Sequence, residues 1–225
     1  MVMLNNGFHP RIKICCIASL AEAQLAIHYG ASALGLVSEM PSGPGVIAEK
    51  LIAEIAAHVP PGVSSFLLTS KQNVAEIIAQ QRRCGANTIQ LVDELLEGSY
   101  ADLRHAMPGI KLVQVIHVTG ENSISEAEQV APHVDAILLD SGNPNLAVKE
   151  LGGTGRTHNW RISRTIRDRI EIPLFLAGGL NADNVRAAID EVAPFGLDIC
   201  SGVRTNGRLD ENKLARFFES VRGEA

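Results

Sequence analysis

Eight short aliphatic runs alternate with eight amphipathic stretches along this chain, and that alternation leaves few folds open. The strand-type runs are Arg11–Ile17, Ala33–Val37, Val63–Leu68, Thr88–Leu91, Leu112–His117, Ala136–Leu139, Pro173–Leu176 and Leu197–Cys200. Each is short and rich in Ile, Leu or Val, the pattern of strands covered on both faces. Helical patterns follow at Leu20–Tyr29, Ala48–His58, Gln72–Arg83, Tyr100–Ala106, Ser125–Ala131, Arg161–Arg169, Ala182–Val192 and Glu211–Val221. Ser19, Asn181 and Asp210 stand where N-caps would open the first, seventh and eighth. Strict strand–helix alternation implies parallel strands, and eight such units are the number that closes a (β/α)8 TIM barrel. The 225 residues give about 28 per unit, near the about 30 of a strand–helix–strand step. An open doubly wound sheet is the alternative architecture.

No linker or composition break divides the chain, so residues 1–225 read as one domain. Hydrophobic residues make up 46% of it and aromatics only 4%, so the core must be aliphatic. A net charge of -5, with no Lys/Arg run, argues against nucleic acid or a membrane surface as partner. No apolar stretch reaches the about 18 residues that span a bilayer. Met1–Pro10 lacks the charged-then-apolar layout of a secretory signal. Cys15, Cys16, Cys84 and Cys200 show no CxxC spacing, so neither a metal site nor a disulfide is expected, and a reducing cytoplasm fits best.

In such a barrel the chemistry sits at the C-terminal ends of the strands. Strand seven runs into Ala177-Gly178-Gly179-Leu180-Asn181, whose glycines would let backbone N–H groups approach an anion, with a helix opening near Asn181 behind them. Strand eight ends Cys200-Ser201-Gly202-Val203, a second small-residue turn with a hydroxyl. Either pair of glycines alone could simply make a tight turn. Together, after the last two strands, Gly178, Gly179, Ser201 and Gly202 point to a phosphate site.

Asp140 closes strand six, where a partly desolvated carboxyl could serve as a general acid or merely cap the next turn. On strand one, period-two alternation puts Lys13 and Cys15 on one face and Ile14 and Cys16 on the other. Cys15 could act as a base beside Lys13, or be an inert buried thiol. The connection Ser141–Trp160 carries four glycines, and a loop of that length is usually functional. His117, ending strand five, fits a hydrogen-bonded histidine at the rim better than a catalytic one.

Five strings carry a resemblance: Lys13–Ile17, Leu138–Ser141, Gly152-Gly153-Thr154-Gly155 with Trp160, Leu176–Val185, and Asp198–Val203. In order and spacing they resemble the motifs of the phosphoribosylanthranilate isomerase family, over nearly the whole chain. That resemblance implies a cofactor-free barrel of tryptophan biosynthesis performing an Amadori rearrangement on a small phosphorylated substrate. It makes Cys15 the general base at C2′ and Asp140 the general acid at the ring oxygen, with Gly178, Gly179, Ser201 and Gly202 cradling the phosphate. Lys13, Gln90, Gly153, Arg156 and Arg204 become further candidate substrate contacts. No metal is implied, and both monomer and homodimer suit such barrels.

The departures gather on the side expected to read the aromatic amine. The family's Ser-Pro-Arg after strand two has no counterpart in Met40–Ile47, which holds no arginine. Gln-Leu-His-Gly becomes Gln90-Leu91-Val92-Asp93, and the glycine after the catalytic-type cysteine becomes Cys16. The Asp before Trp160 becomes Asn159, and the acidic residue after Ser-Gly-Val becomes Arg204. A faithful isomerase would then need another cation, Arg156 or Arg204, for the substrate carboxylate. An isomerase of a different phosphorylated sugar amine, or a barrel that binds a phosphometabolite without turnover, fits the same pattern.

Overall fold

The computed structural model describes residues 9–143, 146, 148–153 and 155–223. Most of the Met1–Pro10 segment, Thr154 of the Gly152–Gly155 string and the last two residues lie outside that set. Among the described residues no helix is long and apolar enough to cross a membrane.

Eight strands close a barrel in chain order: β1 (Arg11–Ile14), β2 (Ala33–Val37), β3 (Ser64–Thr69), β4 (Thr88–Leu91), β5 (Lys111–His117), β6 (Ala136–Asp140), β7 (Leu174–Leu176) and β8 (Gly196–Ile199). Every neighbouring pair is parallel, and β1 pairs with both β2 and β8, with Lys13 opposite Ala33 on one side and Asp198 on the other. The closed ring is the expected barrel, so the open doubly wound sheet is set aside. It has no exposed strand edge, because its first and last strands satisfy each other's backbone groups.

Alternation then builds two cores from the same strands. On β5, Val113 and Val115 point into the barrel with Phe66, Leu138 and Phe175, while Leu112 and Ile116 point out beneath the helices. Both sets are almost wholly buried, which is why the strand sequences show no polar face. A fully buried Leu or Ile contributes about 1.5–3 kcal/mol, so several dozen of them supply the driving force without many aromatics.

The helices cover the outside: α1 (Leu20–Tyr29), α2 (Glu49–His58), α3 (Val74–Cys84), α4 (Tyr100–Ala106), α5 (Asn122–Val130), α6 (Trp160–Arg169), α7 (Val185–Val192) and α8 (Glu211–Arg222). Ser19 caps α1 by accepting from the Glu22 N–H, and Asp210 caps α8 through the Lys213 N–H, as the sequence suggests. The seventh helix departs from expectation: it begins at Val185, not beside Asn181. The Asn181 side chain accepts from the Asp183 N–H and its own N–H donates to Asn184 Oδ1 at 2.9 Å, so a local turn wins over the helix there.

β1 is also shorter than the run Arg11–Ile17, because Cys16 adopts φ 62 and turns the chain out of the strand. Two backbone bonds hold the exit in place, Cys15 N–H to Ile199 O at 2.8 Å and Ile17 N–H to Gly35 O at 3.0 Å.

Candidate active site

A cavity at the C-terminal ends of the strands encloses about 680 Å3 counting its open mouth. Beneath its floor lies an ion pair. Lys13 is fully buried, and its Nζ donates to Asp198 Oδ1 at 2.8 Å while lying 5.3 Å from the centre of the Phe66 ring. Burial alone would push the ammonium down, but Asp198, and after it the Cys15 thiol, outweigh that and hold Lys13 well above the usual lysine value. A cation is therefore fixed under the thiol, held by a carboxylate. Asp198 lines the cavity too, and the sequence reading gave it no role. The signal was there in the alternation, since Leu197 and Ile199 pack outward beneath the helices and leave Asp198 facing inward.

Cys15 follows Lys13 on the inward face and lines the cavity, as alternation predicts. β2 accommodates it with Gly35, where a Cβ would sit 2.7 Å from Cys15 Sγ and 3.0 Å from Lys13 Nζ. Cys16 does not follow the alternation. Its left-handed backbone swings Sγ to the cavity side instead of the outer face, which corrects the sequence expectation for this residue. The glycine that the resemblance leads one to expect at this position has a physical reason: φ here is positive, a region that favours a residue without a Cβ.

Asp140 ends β6 facing the same space and is buried. Burial raises its carboxyl above the usual value, with Asp198 adding to the rise. The Ser141 N–H, donating to Oδ1 at 2.7 Å, His117 and Lys13 oppose it without cancelling it. His117 pairs in register with Asp140 across β5 and β6, and its Nε2 lies 3.0 Å from Val92 O, a hydrogen-bonded histidine at the rim.

On the other wall, Gly178, Gly179 and Ser201 line the cavity. Gly178 and Gly179 have φ of 84 and 62, and added Cβ atoms would meet His158 Nδ1 at 3.0 Å and the Arg156 carbonyl carbon at 2.7 Å. These two positions leave no room for a side chain. Gly202 does not line the cavity; a Cβ there would run into Leu180 O, so this glycine lets the two loops pack together. His158, behind Gly178, is driven down to about 4 by burial and is neutral at neutral pH.

The connection Ser141–Trp160 crosses the mouth. Ser42 Oγ donates to Lys149 O at 2.6 Å, Lys149 Nζ meets Asp93 Oδ2 at 2.5 Å, and the buried Leu151 faces the cavity. The opposite end is thus walled by Val37, Met40, Pro44, Leu68, Val92 and Leu151, with Gln90 Oε1 buried and without a hydrogen-bond partner. Among the described residues no arginine or lysine lines the cavity.

Seven of the candidate residues therefore meet in one space: Cys15, Asp140, Gln90, Gly153, Gly178, Gly179 and Ser201. Lys13 lies beneath it. Arg156 pairs with Glu150 on the outer side of the connection. Arg204 opens a small hairpin, β9 (Arg204–Thr205) with β10 (Arg208–Leu209). Its guanidinium is buried against Glu22 and donates to the carbonyls of Cys15, Cys16 and Gly207. It braces the exit of β1 from behind.

Fold and cavity together define a β/α-barrel enzyme with its polar groups at the strand ends. The family model described as N-(5'phosphoribosyl)anthranilate (PRA) isomerase matches residues 12–220, and the chain belongs to that isomerase family. It is 34% identical over 216 residues to N-(5'-phosphoribosyl)anthranilate isomerase 2 of Methanosarcina mazei, covering 95% of each. Among solved structures, the phosphoribosyl anthranilate isomerase of Thermotoga maritima is 30% identical with a TM-score of 0.79, covering 95% of this chain and 99% of that one. A phosphoribosyl anthranilate isomerase solved in complex with reduced 1-(o-carboxyphenylamino)-1-deoxyribulose 5-phosphate is 28% identical, with a TM-score of 0.76 over 95% and 99% of the two chains.

Proposed function

We propose that this protein catalyses the Amadori rearrangement of N-(5'-phosphoribosyl)anthranilate to its 1-deoxyribulose 5-phosphate isomer, a step of tryptophan biosynthesis. One observation carries the reading: a buried carboxylic acid and a thiol above a fixed ammonium line the same cavity as two glycine-built loops. The phosphate would lie against Gly178, Gly179 and Ser201, held by backbone N–H groups that need no side chain. Anchoring there fixes the ribose between Cys15 and Asp140 and removes much of the entropy cost of alignment.

Asp140, whose burial favours the protonated carboxyl, donates its proton to the ring oxygen as the C1′–O bond breaks and the amine nitrogen takes up the positive charge. Cys15, as thiolate, takes the C2′ proton, and its electron pair neutralises that iminium to give an enolamine. Tautomerisation of the enolamine gives the 2-keto product. Lys13 Nζ and Cys15 Sγ both border the space over Gly35, which places a fixed positive charge beside the reacting sulfur. The remaining expectations go with this reading: one domain, a cytoplasmic location, a small phosphorylated molecule as partner, and a monomeric or homodimeric state.

That no arginine or lysine among the described residues lines the cavity favours a second reading of its amine end, in which the preferred substrate is a phosphoribosylated amine without a carboxylate. Complementation separates the two. Expressed in a tryptophan auxotroph lacking this isomerase, the wild type should restore growth and Cys15→Ala should not. Growth that fails despite soluble protein would reject the first reading and leave the second.

A further inference from the structure

The four cysteines show no paired spacing in the sequence, yet the fold brings two of them together in the cavity wall. Cys16 turns its side chain inward because its backbone is left-handed, and Cys200 follows β8, the neighbour of β1 in the ring. Their Sγ atoms lie 2.7 Å apart and share a hydrogen bond. That is only about 0.7 Å beyond the about 2.05 Å of a disulfide. Both residues line the open cavity, and Cys200 is only partly buried, so a small solute reaches the pair. Gly45 makes the space, since a Cβ there would lie 2.9 Å from Cys16 Sγ.

The electrostatics divide the roles within the pair. When Cys200 ionises, the Cys16 S–H donates to it, and Arg204 and Lys13 favour the anion further, so Cys200 titrates below the usual thiol value. Cys16 is held above it by hydrogen bonding with Cys15 first, then with Cys200, and by burial. One member is thus the ready nucleophile and the other the waiting thiol. Arg204 also fixes the Cys15 and Cys16 carbonyls, which keeps the turn that presents Cys16 in place.

We propose that Cys16 and Cys200 form an oxidation site at which a hydroperoxide converts the pair to an intramolecular disulfide. With hydrogen peroxide, the Cys200 thiolate attacks one oxygen, the O–O bond breaks, and Cys200 sulfenic acid and hydroxide result. Hydroxide takes the Cys16 proton to give water. The Cys16 thiolate then attacks the Cys200 sulfur, the S–O bond breaks, and the departing hydroxide takes a proton from solvent. Two thiols lose two electrons and hydrogen peroxide becomes two waters. The bridge ties the residue after Cys15 to the residue before Ser201, joining the loop of the proposed base to a proposed phosphate loop, and leaves Cys15 itself reduced.

The test uses the purified full chain, reduced, freed of reductant, and exposed to hydrogen peroxide at equal concentration. Two of the four thiols should disappear and the intact mass should fall by about 2 Da, both reversed by dithiothreitol. Tandem mass spectrometry of the digest should join Cys16 to Cys200. The crosslink should persist in Cys15→Ser and vanish in Cys16→Ser and Cys200→Ser, with folding checked by circular dichroism. Four thiols surviving the treatment would overturn the proposal. So would oxidation confined to one sulfur, or a bridge to Cys15, Cys84 or a second chain.

Discussion

The loops after β7 and β8 and the loops after β2 and β4 face each other across one cavity but are built from different materials. The first pair shapes its wall with backbone: Gly178 and Gly179 in left-handed conformations, pressed against the connection that carries Arg156 and Thr157. The second pair presents side chains, Met40, Pro44, Gln90 and Val92, with the Asp93–Lys149 ion pair holding the crossing connection at its edge. A wall made of backbone cannot be altered by changing one side chain without refolding the loop, whereas a wall made of side chains can be rewritten one residue at a time. Two of the motif strings that carry the resemblance, Leu176–Val185 and Asp198–Val203, lie on the first wall, and the departures in Met40–Ile47 and Gln90–Asp93 lie on the second.

Removing either proton-transfer group should have the largest effect. Cys15→Ala and Asp140→Asn should each lower kcat by about 10^3-fold, within the range for losing a positioned acid or base, with KM changed only a few-fold. Steady-state kinetics would check this, and a kcat within ten-fold of wild type for either variant would break the assignment.

Gly179→Ala probes the backbone wall. Its Cβ would meet the Arg156 carbonyl carbon at 2.7 Å in a left-handed residue, a cost of about 1–3 kcal/mol that must move the loop. Substrate KM and the inhibition constant of inorganic phosphate should both rise about 10- to 100-fold. Unchanged phosphate inhibition would place the anion elsewhere.

The side-chain wall should show the opposite behaviour, an insensitivity. A charge-assisted clamp on the anthranilate carboxylate would contribute about 1.5–3 kcal/mol, and among the described residues no arginine or lysine lines the cavity to form one. The carboxyl-free aniline analogue should therefore be turned over with kcat/KM within about ten-fold of the anthranilate substrate. A preference of a hundred-fold or more would mean that a cation enters the cavity when substrate binds.

The smallest effect is on stability. Asp140 has a carboxyl pKa raised in the folded protein, so the native state binds more protons and stability falls as pH rises from the ordinary value of about 3.9 through the folded one. Asp140→Asn removes that burden. Its melting temperature should exceed wild type at pH 7, and the gap should close below about pH 4. A variant less stable than wild type at pH 7 would contradict the buried-acid picture.

Much of this was legible in the residues, and what was not has a common cause. Ala33–Val37 and Thr88–Leu91 stand as strands where the aliphatic runs place them, because burial on both faces leaves nothing else for such runs to do. Cys15 and Asp140 could be put on the inward face from alternation and strand ends alone. The direction of Cys16 could not, since it depends on the sign of one φ angle. The start of α7 could not either, because two asparagines settle it between themselves. Arg204 was a candidate for the substrate, but its actual partners come from α1, the β1 exit and its own hairpin, neighbours that no local spacing reveals.

The central claim is that a thiol and a buried carboxyl, set over one phosphate-anchoring cavity, carry out an isomerisation. The most direct test is to supply purified, reduced protein with N-(5'-phosphoribosyl)anthranilate at neutral pH and follow conversion to the 1-deoxyribulose isomer. Turnover that disappears in both Cys15→Ala and Asp140→Asn is the predicted result. Tight binding of a phosphorylated analogue by calorimetry with no turnover of this substrate or its carboxyl-free counterpart would contradict it.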